Sequence, residues 1–222
     1  MSRKKLWLSW SSGKDSAWAL HVLRQQGEYE VVGLLTTLNG EAGRVAMHAV
    51  RDALLDAQAS AAGLPVHKVM LPAPCPNEIY EQRMTAALDV ARAEGIAAIA
   101  FGDLFLEDVR RYREERMAGT GIAALFPLWA VPTPALAREM VRAGLVAHLT
   151  CIDPRKLPRA FAGRLFDDAL VDDLPTDIDP CGENGEFHSF ASAGPMFRHA
   201  VAVRPGEVVE RDGFVFADLL PA

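Results

Sequence analysis

The apolar run Leu6-Trp7-Leu8-Ser9-Trp10 passes directly into Ser11-Ser12-Gly13-Lys14-Asp15-Ser16 and then into Ala17-Trp18-Ala19-Leu20-His21-Val22-Leu23. Strand, tight loop and helix in that order commit the chain to an α/β fold opening on a βα unit. Small residues at a helix N-terminus let several backbone N–H groups point at one spot, and the helix dipole adds partial positive charge there. A phosphate group fits that spot. Gly13 is expected to turn the backbone with positive φ and to let an anion approach closely. Ser11, Ser12 and Ser16 offer hydroxyl donors, Lys14 a mobile positive charge, and Asp15 a ligand for a magnesium ion riding on the phosphates. The Walker order (Gly-Lys-Ser/Thr) and the three spaced glycines of dinucleotide folds are both missing. The alternative for these residues is an ordinary strand-to-helix turn with a capping serine.

The rest of the chain continues the alternation. Glu30–Thr37 reads as a buried strand, Met47–Ala61 as a helix stopped by Gly63 and Pro65, and Val66–Leu71 as a third strand. A helix capped by Asn77 runs to Ala93, and Ile96–Phe101 is a short strand ending at Gly102-Asp103. Further elements are a helix near Glu107–Ala118, a strand near Ile122–Phe126, a helix over Pro134–Ala143 and a strand over Leu145–Ile152. This order predicts a parallel sheet with right-handed crossovers. Beyond it, Phe197–Val203 reads as a strand, and Val208–Arg211 with Phe214–Phe216 as a hairpin turning at Asp212-Gly213. Residues 1–152 are therefore expected to form the nucleotide unit, with 153–222 a β-rich lobe against it.

Composition narrows the function. At 222 residues the chain has room for one substantial core and an appendage, and none for a separate glutaminase domain. A net charge of −6 argues against a nucleic-acid partner. Cys75, Cys151 and Cys181 are scattered, with no Cys-x-x-Cys pair, which suits a reducing cytoplasm. The basic start, Ser2-Arg3-Lys4-Lys5, meets too short an apolar run for a secretory signal. The uncharged stretch Met117–Ala137 is broken by Gly119, Gly121, Pro127, Pro132 and Pro134, so no membrane span is expected. A homodimer is left open.

Two other segments carry chemistry-bearing residues. Glu107-Asp108-Val109-Arg110-Arg111-Tyr112-Arg113-Glu114 mixes charges at helical spacing. Its arginines either pair on a solvated face or bind phosphate or carboxylate through parallel hydrogen bonds, and Arg110 and Arg111 are the substrate candidates. From Leu165 to Phe197 there is no Lys or Arg, and within it lies Asp179-Pro180-Cys181-Gly182-Glu183-Asn184-Gly185-Glu186-Phe187-His188-Ser189-Phe190. Gly182 and Gly185 predict a tight acidic loop, whose Glu183, Glu186, Phe187 and Phe190 suit a cationic group. The plainer alternative is a glycine loop whose acids cap turns. Cys181 and His188 as a thiol and base pair have only weak support.

The Ser11–Ser16 loop resembles the pyrophosphate loop of ATP pyrophosphatases in the HUP superfamily of Rossmann-like domains, with Ser12 where a glycine is usual. With Gly102-Asp103, Glu139-Met140, the Cys181–Ser189 element and the later Gly194-Pro195, nearly the whole chain resembles the diphthine ammonia ligase family. The resemblance implies an enzyme that uses ATP and magnesium to adenylate a carboxylate, that of diphthine on elongation factor 2, and then aminates it with ammonium, releasing AMP and pyrophosphate. It implies catalytic roles for Lys14, Asp15, Asp103, Glu183 and Glu186, and nucleotide contacts from Ser11 through Ser16, Gly102 and His48. Arg110, Arg111, Gly182, Asn184 and His188 would hold the acceptor. Family members tend to carry Tyr-Gln and a following Arg where this chain has Phe105–Tyr112, so the acceptor is the open point. The competing functional class is a HUP-type adenine-nucleotide sensor without turnover. A sensor has no need of a second, acidic element.

Overall fold

The computed structural model describes residues 3–40, 44–45 and 50–222. His48, and the start of the helix expected from Met47, lie outside the described residues. The first sheet has the order β3-β2-β1-β5-β6, with β4 also on β2. Its parallel strands are β1 (Lys4–Ser9), β2 (Tyr29–Asn39), β4 (Val66–Leu71), β5 (Ile96–Ala100) and β6 (Ala123–Leu125), and the two-residue β3 (Arg44–Val45) is antiparallel. This is the expected Rossmann-like α/β layer.

β1 sits in the middle because both its faces are apolar. Leu6, Leu8 and Trp10 enter the larger core, while Trp7, pointing the other way, enters the smaller one. On the first face lie α1 (Lys14–Gln26), which contributes Ala17, Trp18, Leu20 and Leu23, and α2 (Asp52–Ala62). On the other, α3 (Asn77–Ala93) buries little beyond Leu88 and Ala91, and α4 (Glu107–Met117) buries Met117. Asn77 is the first helical residue of α3, and Pro76 takes the cap position with no side-chain cap bond.

The second sheet is antiparallel, in the order β8-β7-β10-β9. Its strands are β7 (Val146–Ile152), β8 (Phe187–Ala193), β9 (Val203–Arg211) and β10 (Phe214–Pro221), with the β9–β10 turn at Asp212-Gly213 as expected. Two expectations are corrected here. β7 does not extend the parallel sheet: it pairs with β8 and β10, so the second sheet reaches back before residue 153. An apolar run carries no record of strand direction, so the alternation misassigned it. Phe197–Val203 is not a strand; the chain turns there and β9 starts at Val203, while β8, over Phe187–Ala193, is a strand the sequence reading does not include.

Between the sheets, α5 (Thr133–Arg142) buries Leu136, Ala137 and Met140 in a core shared by both. Much of the acidic run is neutralised locally. Arg138 bonds Asp168 at 2.7 Å and also Asp172, and Arg164 bonds Asp173 at 2.8 Å. Asp167 caps the short α6 (Asp168–Asp173) by accepting from the Leu170 N–H. Among the described residues, no helix is long and apolar enough to cross a membrane.

Candidate active site

A cavity of about 230 Å³ opens beyond the carboxyl ends of β1 and β5. Ser11, Lys14, Asp15 and Ser16 form one wall, Gly102, Asp103 and Arg113 a second, and Gly182, Glu183, Gly185, His188 and Ser189 a third. Since β5 hydrogen-bonds directly to β1, Asp103 is carried to the mouth of the loop.

The loop turns differently from expectation. Gly13 is extended, at φ −81° and ψ 170°, and the left-handed residue is Ser12, at φ 70°. Ser12 is fully buried, and its Oγ has no hydrogen-bond partner among the described residues. Its carbonyl is the anchor, accepting from the Ala191 N–H of β8 at 2.9 Å and from Gln58 Nε2 of α2 at 2.9 Å. Gln58 also accepts from Trp10 Nε1 at 3.0 Å and donates to the Ala191 carbonyl at 2.6 Å. The loop is thus tied to β8 and to α2 at one point. Ser11 Oγ accepts from the Gly13 N–H at 3.3 Å and lies 3.2 Å from Ser16 Oγ. The N-cap residue, Gly13, has no side chain with which to cap α1, whose first turn faces the cavity. Gly102 is required beneath that turn: a Cβ there would lie 3.0 Å from the Asp15 carbonyl carbon and the Ser16 nitrogen.

Lys14 is not the mobile charge expected. Its side chain is 2% exposed, and Nζ donates to Asp15 at 2.9 and 2.8 Å and to the Cys181 carbonyl. It also lies over Phe166 and Phe187, 5.5 and 5.3 Å from the ring centroids. Burial works most strongly against its charge, but Asp15, together with Cys181 and Asp179, holds the ammonium above its ordinary pKa. Asp15, 26% exposed, opens toward the cavity. The Lys14 N–H donates to Ser189 Oγ at 3.1 Å, a second tie from β8 to the loop.

The Cys181–Ser189 element splits into two groups. Glu183 faces the cavity, with Oε1 accepting from the Leu104 N–H at 2.7 Å. Burial, then the negative charge of Asp15 and Asp103, pushes its pKa up to about 7. His188 also lines the cavity, and burial together with Lys14 lowers it to about 4, so the ring is neutral at pH 7. Glu186, by contrast, is 2% exposed and does not line the cavity: Oε1 accepts from the Asp179 N–H at 3.3 Å and Asn184 Nδ2 at 3.1 Å. It shapes the loop rather than touching a substrate. Asn184 likewise does not line the cavity: its side-chain amide is spent on Glu186, and its backbone carbonyl accepts from Lys156. The glycines at 182 and 185 have φ 73° and 78°, the tight loop that was expected. The Cys181 thiol is buried, shifted upward by that burial, and donates to the Thr133 carbonyl at 3.6 Å. It is not placed as a nucleophile.

Arg110 and Arg111 do not line this cavity. Arg110 pairs with Glu114 at 2.7 Å over Phe126 and Trp129, and Arg111 is exposed. The arginine at the site is Arg113, whose Nε and Nη2 donate to Asp103 at 2.7 and 3.4 Å and whose guanidinium lies 4.5 Å from the Phe101 ring centroid. The signal for it was helical phase, since residue 113 precedes the buried Met117 by one turn. Gln58 was legible on the same ground, a polar residue on the apolar face with Leu54, Leu55 and Ala62. An adjoining cavity of about 290 Å³ shares Ser9, Ser11, Phe101, Arg113 and His188, and is lined further by Trp10, Leu35, Val45, Ile99 and Met117.

A parallel sheet flanked by helices, with a small-residue loop leading from its central strand into a helix, defines a Rossmann-like α/β domain. The family model for the diphthamide synthase N-terminal domain matches residues 4–122, and that for the diphthamide synthase C-terminal domain matches residues 133–216. No curated protein matches the chain. The chain belongs to the diphthamide synthase family, the diphthine ammonia ligase group of PP-loop proteins that its sequence resembles. Membership supports an ATP-using enzyme of the ATP pyrophosphatase type with a role in diphthamide biosynthesis.

Proposed function

We propose that the protein is an amide-forming ligase that activates a carboxylate with ATP and aminates it with ammonium. The support is the convergence of three walls on one cavity: the phosphate loop, the Asp103–Arg113 pair and the Glu183 loop. Ser11, Gly13, Ser16 and the first turn of α1 hold the phosphates, and the neighbouring apolar cavity receives the base. Asp15 is the chain's contribution to a magnesium ion. Its partly exposed carboxylate fits the habit of magnesium, which takes one or two protein carboxylates and completes its shell with phosphate oxygens and water. Bound there, the ion would neutralise charge on the phosphates.

A carboxylate oxygen, diphthine's in the family reaction, attacks the α-phosphorus. The bond from that phosphorus to the bridging oxygen of pyrophosphate breaks, leaving an acyl adenylate. Glu183, poised near neutral pH, takes a proton from ammonium. The resulting ammonia attacks the acyl carbon, AMP leaves with the electron pair of the broken C–O bond, and the nitrogen loses a second proton to give the amide. Arg113 offsets charge as the phosphates separate, and catalysis is otherwise positioning.

Phosphorus NMR of ATP, magnesium, ammonium and protein tests this, with and without diphthine-bearing elongation factor 2. AMP and pyrophosphate that depend on the acceptor support the ligase. Tight ATP binding with no products in any mixture of acids would support the nucleotide-sensor reading instead.

A further inference from the structure

Hydroxyl protons around the cavity are unequally committed. Ser16 Oγ donates to the Gly13 carbonyl at 3.0 Å, so in its 3.2 Å contact with Ser11 Oγ the proton comes from Ser11. The loop thus spends both of these protons on itself, and each turns to a ligand only by breaking a bond. Ser189, on β8, differs. Its side chain is buried, with the residue 3% exposed, it lines the cavity, and its Oγ accepts from the Lys14 N–H at 3.1 Å. A hydroxyl also has one proton to donate, and among the described residues no acceptor takes this one.

Position makes that proton useful. The Lys14 N–H belongs to the first turn of α1, where the helix presents its positive end. An anion would ordinarily take such an N–H, and here Ser189 Oγ takes it. Hydrogen bonds in a chain polarise one another, so a hydroxyl that accepts from the helix end becomes a stronger donor and carries the pull of that end into the cavity. The place of the hydroxyl is fixed. Ser189 pairs with Leu149 of β7, and two residues further along β8 the Ala191 N–H donates to the Ser12 carbonyl at 2.9 Å. A donor held in advance costs no rearrangement when negative charge arrives.

We infer that Ser189 is a ligand-binding residue of the phosphate cradle, its hydroxyl donating to a phosphate oxygen of the bound nucleotide and, after cleavage, of pyrophosphate. This rests on the reading of Ser11–Ser16 as the phosphate loop. It makes the second sheet a supplier of nucleotide contacts, with a residue of the C-terminal family match completing a site opened by residues of the N-terminal one.

The test is calorimetric titration of the full chain with magnesium pyrophosphate. A hydrogen bond to a charged group carries about tenfold or more in affinity, so Ser189→Ala should weaken pyrophosphate by at least that factor. Ser189→Thr keeps the hydroxyl and should bind within about threefold of wild type, whereas Ser189→Val, with the shape of threonine and no hydroxyl, should bind as weakly as the alanine variant. In a crystal structure of the wild-type complex, Ser189 Oγ should lie about 2.5–3.0 Å from a phosphate oxygen. A hydroxyl that serves only to accept the Lys14 N–H would lower the urea midpoint of Ser189→Ala and leave its pyrophosphate affinity within about twofold of wild type, which would overturn the inference. Threonine binding no better than valine, or an Oγ beyond about 3.5 Å from every phosphate oxygen, would overturn it equally. Wild-type protein that fails to bind pyrophosphate would sink the phosphate-loop reading and the inference together, whereas loss of none of its affinity in Ser189→Ala sinks the inference alone.

Discussion

Replacing Ser12 with glycine should make the protein more stable, although it alters the centre of the nucleotide loop. Ser12 holds φ 70°, a conformation that costs an L-residue about 1 kcal/mol, and its buried Oγ lacks a partner among the described residues, a penalty of about 1–2 kcal/mol. Glycine removes both penalties and loses about 0.5–1 kcal/mol to greater freedom of the unfolded chain. The net gain is about 1–2 kcal/mol, which for a chain of this length raises Tm by about 2–8 °C. Ser12→Ala removes only the hydroxyl and should fall between wild type and Ser12→Gly. Urea unfolding without nucleotide, followed by fluorescence of the buried Trp10 and Trp18, reads the three midpoints directly. A Ser12→Gly midpoint at or below wild type would refute the argument, and Ser12→Ala equal to Ser12→Gly would refute its backbone component.

Other substitutions probe the ties around the loop. Asp15→Asn removes the carboxylate facing the buried Lys14, and with the Cys181 carbonyl still in place it should cost about 2–4 kcal/mol in urea unfolding and abolish magnesium-dependent turnover. Gly102→Ala drives a methyl against the first turn of α1, and calorimetric ATP titration should show weakened affinity, with about 1–3 kcal/mol of stability lost. Gln58→Leu strands the Trp10 N–H and deprives two carbonyls of a donor, and should lower stability by about 2–4 kcal/mol in the same assay. For Glu183 the pKa rises from 4.5 unfolded to about 7 folded, so the folded state holds the proton through that window. Stability therefore falls as pH rises from 4.5 through 7, while turnover, which needs the ionised form, rises through pH 7. Glu183→Gln should flatten both profiles, and unchanged profiles in that variant would remove Glu183 from the role of proton acceptor.

The parallel sheet was legible because β1, β2, β4 and β5 are apolar runs set off by glycine and proline, and their bounds agree with expectation to within a few residues. β8 was hidden because His188, Ser189 and Ser192 interrupt its apolar pattern behind a glycine loop. Those polar residues serve the interface with the phosphate loop, where Ser189 receives the Lys14 N–H. Site composition was legible where short spacing fixes geometry, as in Ser11–Ser16 and Gly182–Glu183. It failed where position depends on helical phase or long-range contact: Arg113 stands where Arg110 and Arg111 were expected, and Glu186 and Asn184 do not line the cavity. Lys14 shows a further limit. Whether a lysine reaches a ligand or is locked by its neighbour and a distant carbonyl is decided by residues far along the chain.

The most direct test of the account is the source of the oxygen in AMP. The reaction is run in 18O-labelled water with ATP, magnesium, ammonium and acceptor, and the AMP is weighed by mass spectrometry. Attack by a carboxylate on the α-phosphorus predicts AMP without oxygen from water, formed in step with pyrophosphate and amide. AMP carrying one solvent oxygen would mean that water attacks the α-phosphorus, and ADP with phosphate would mean that a different bond is cleaved; either contradicts the ligase.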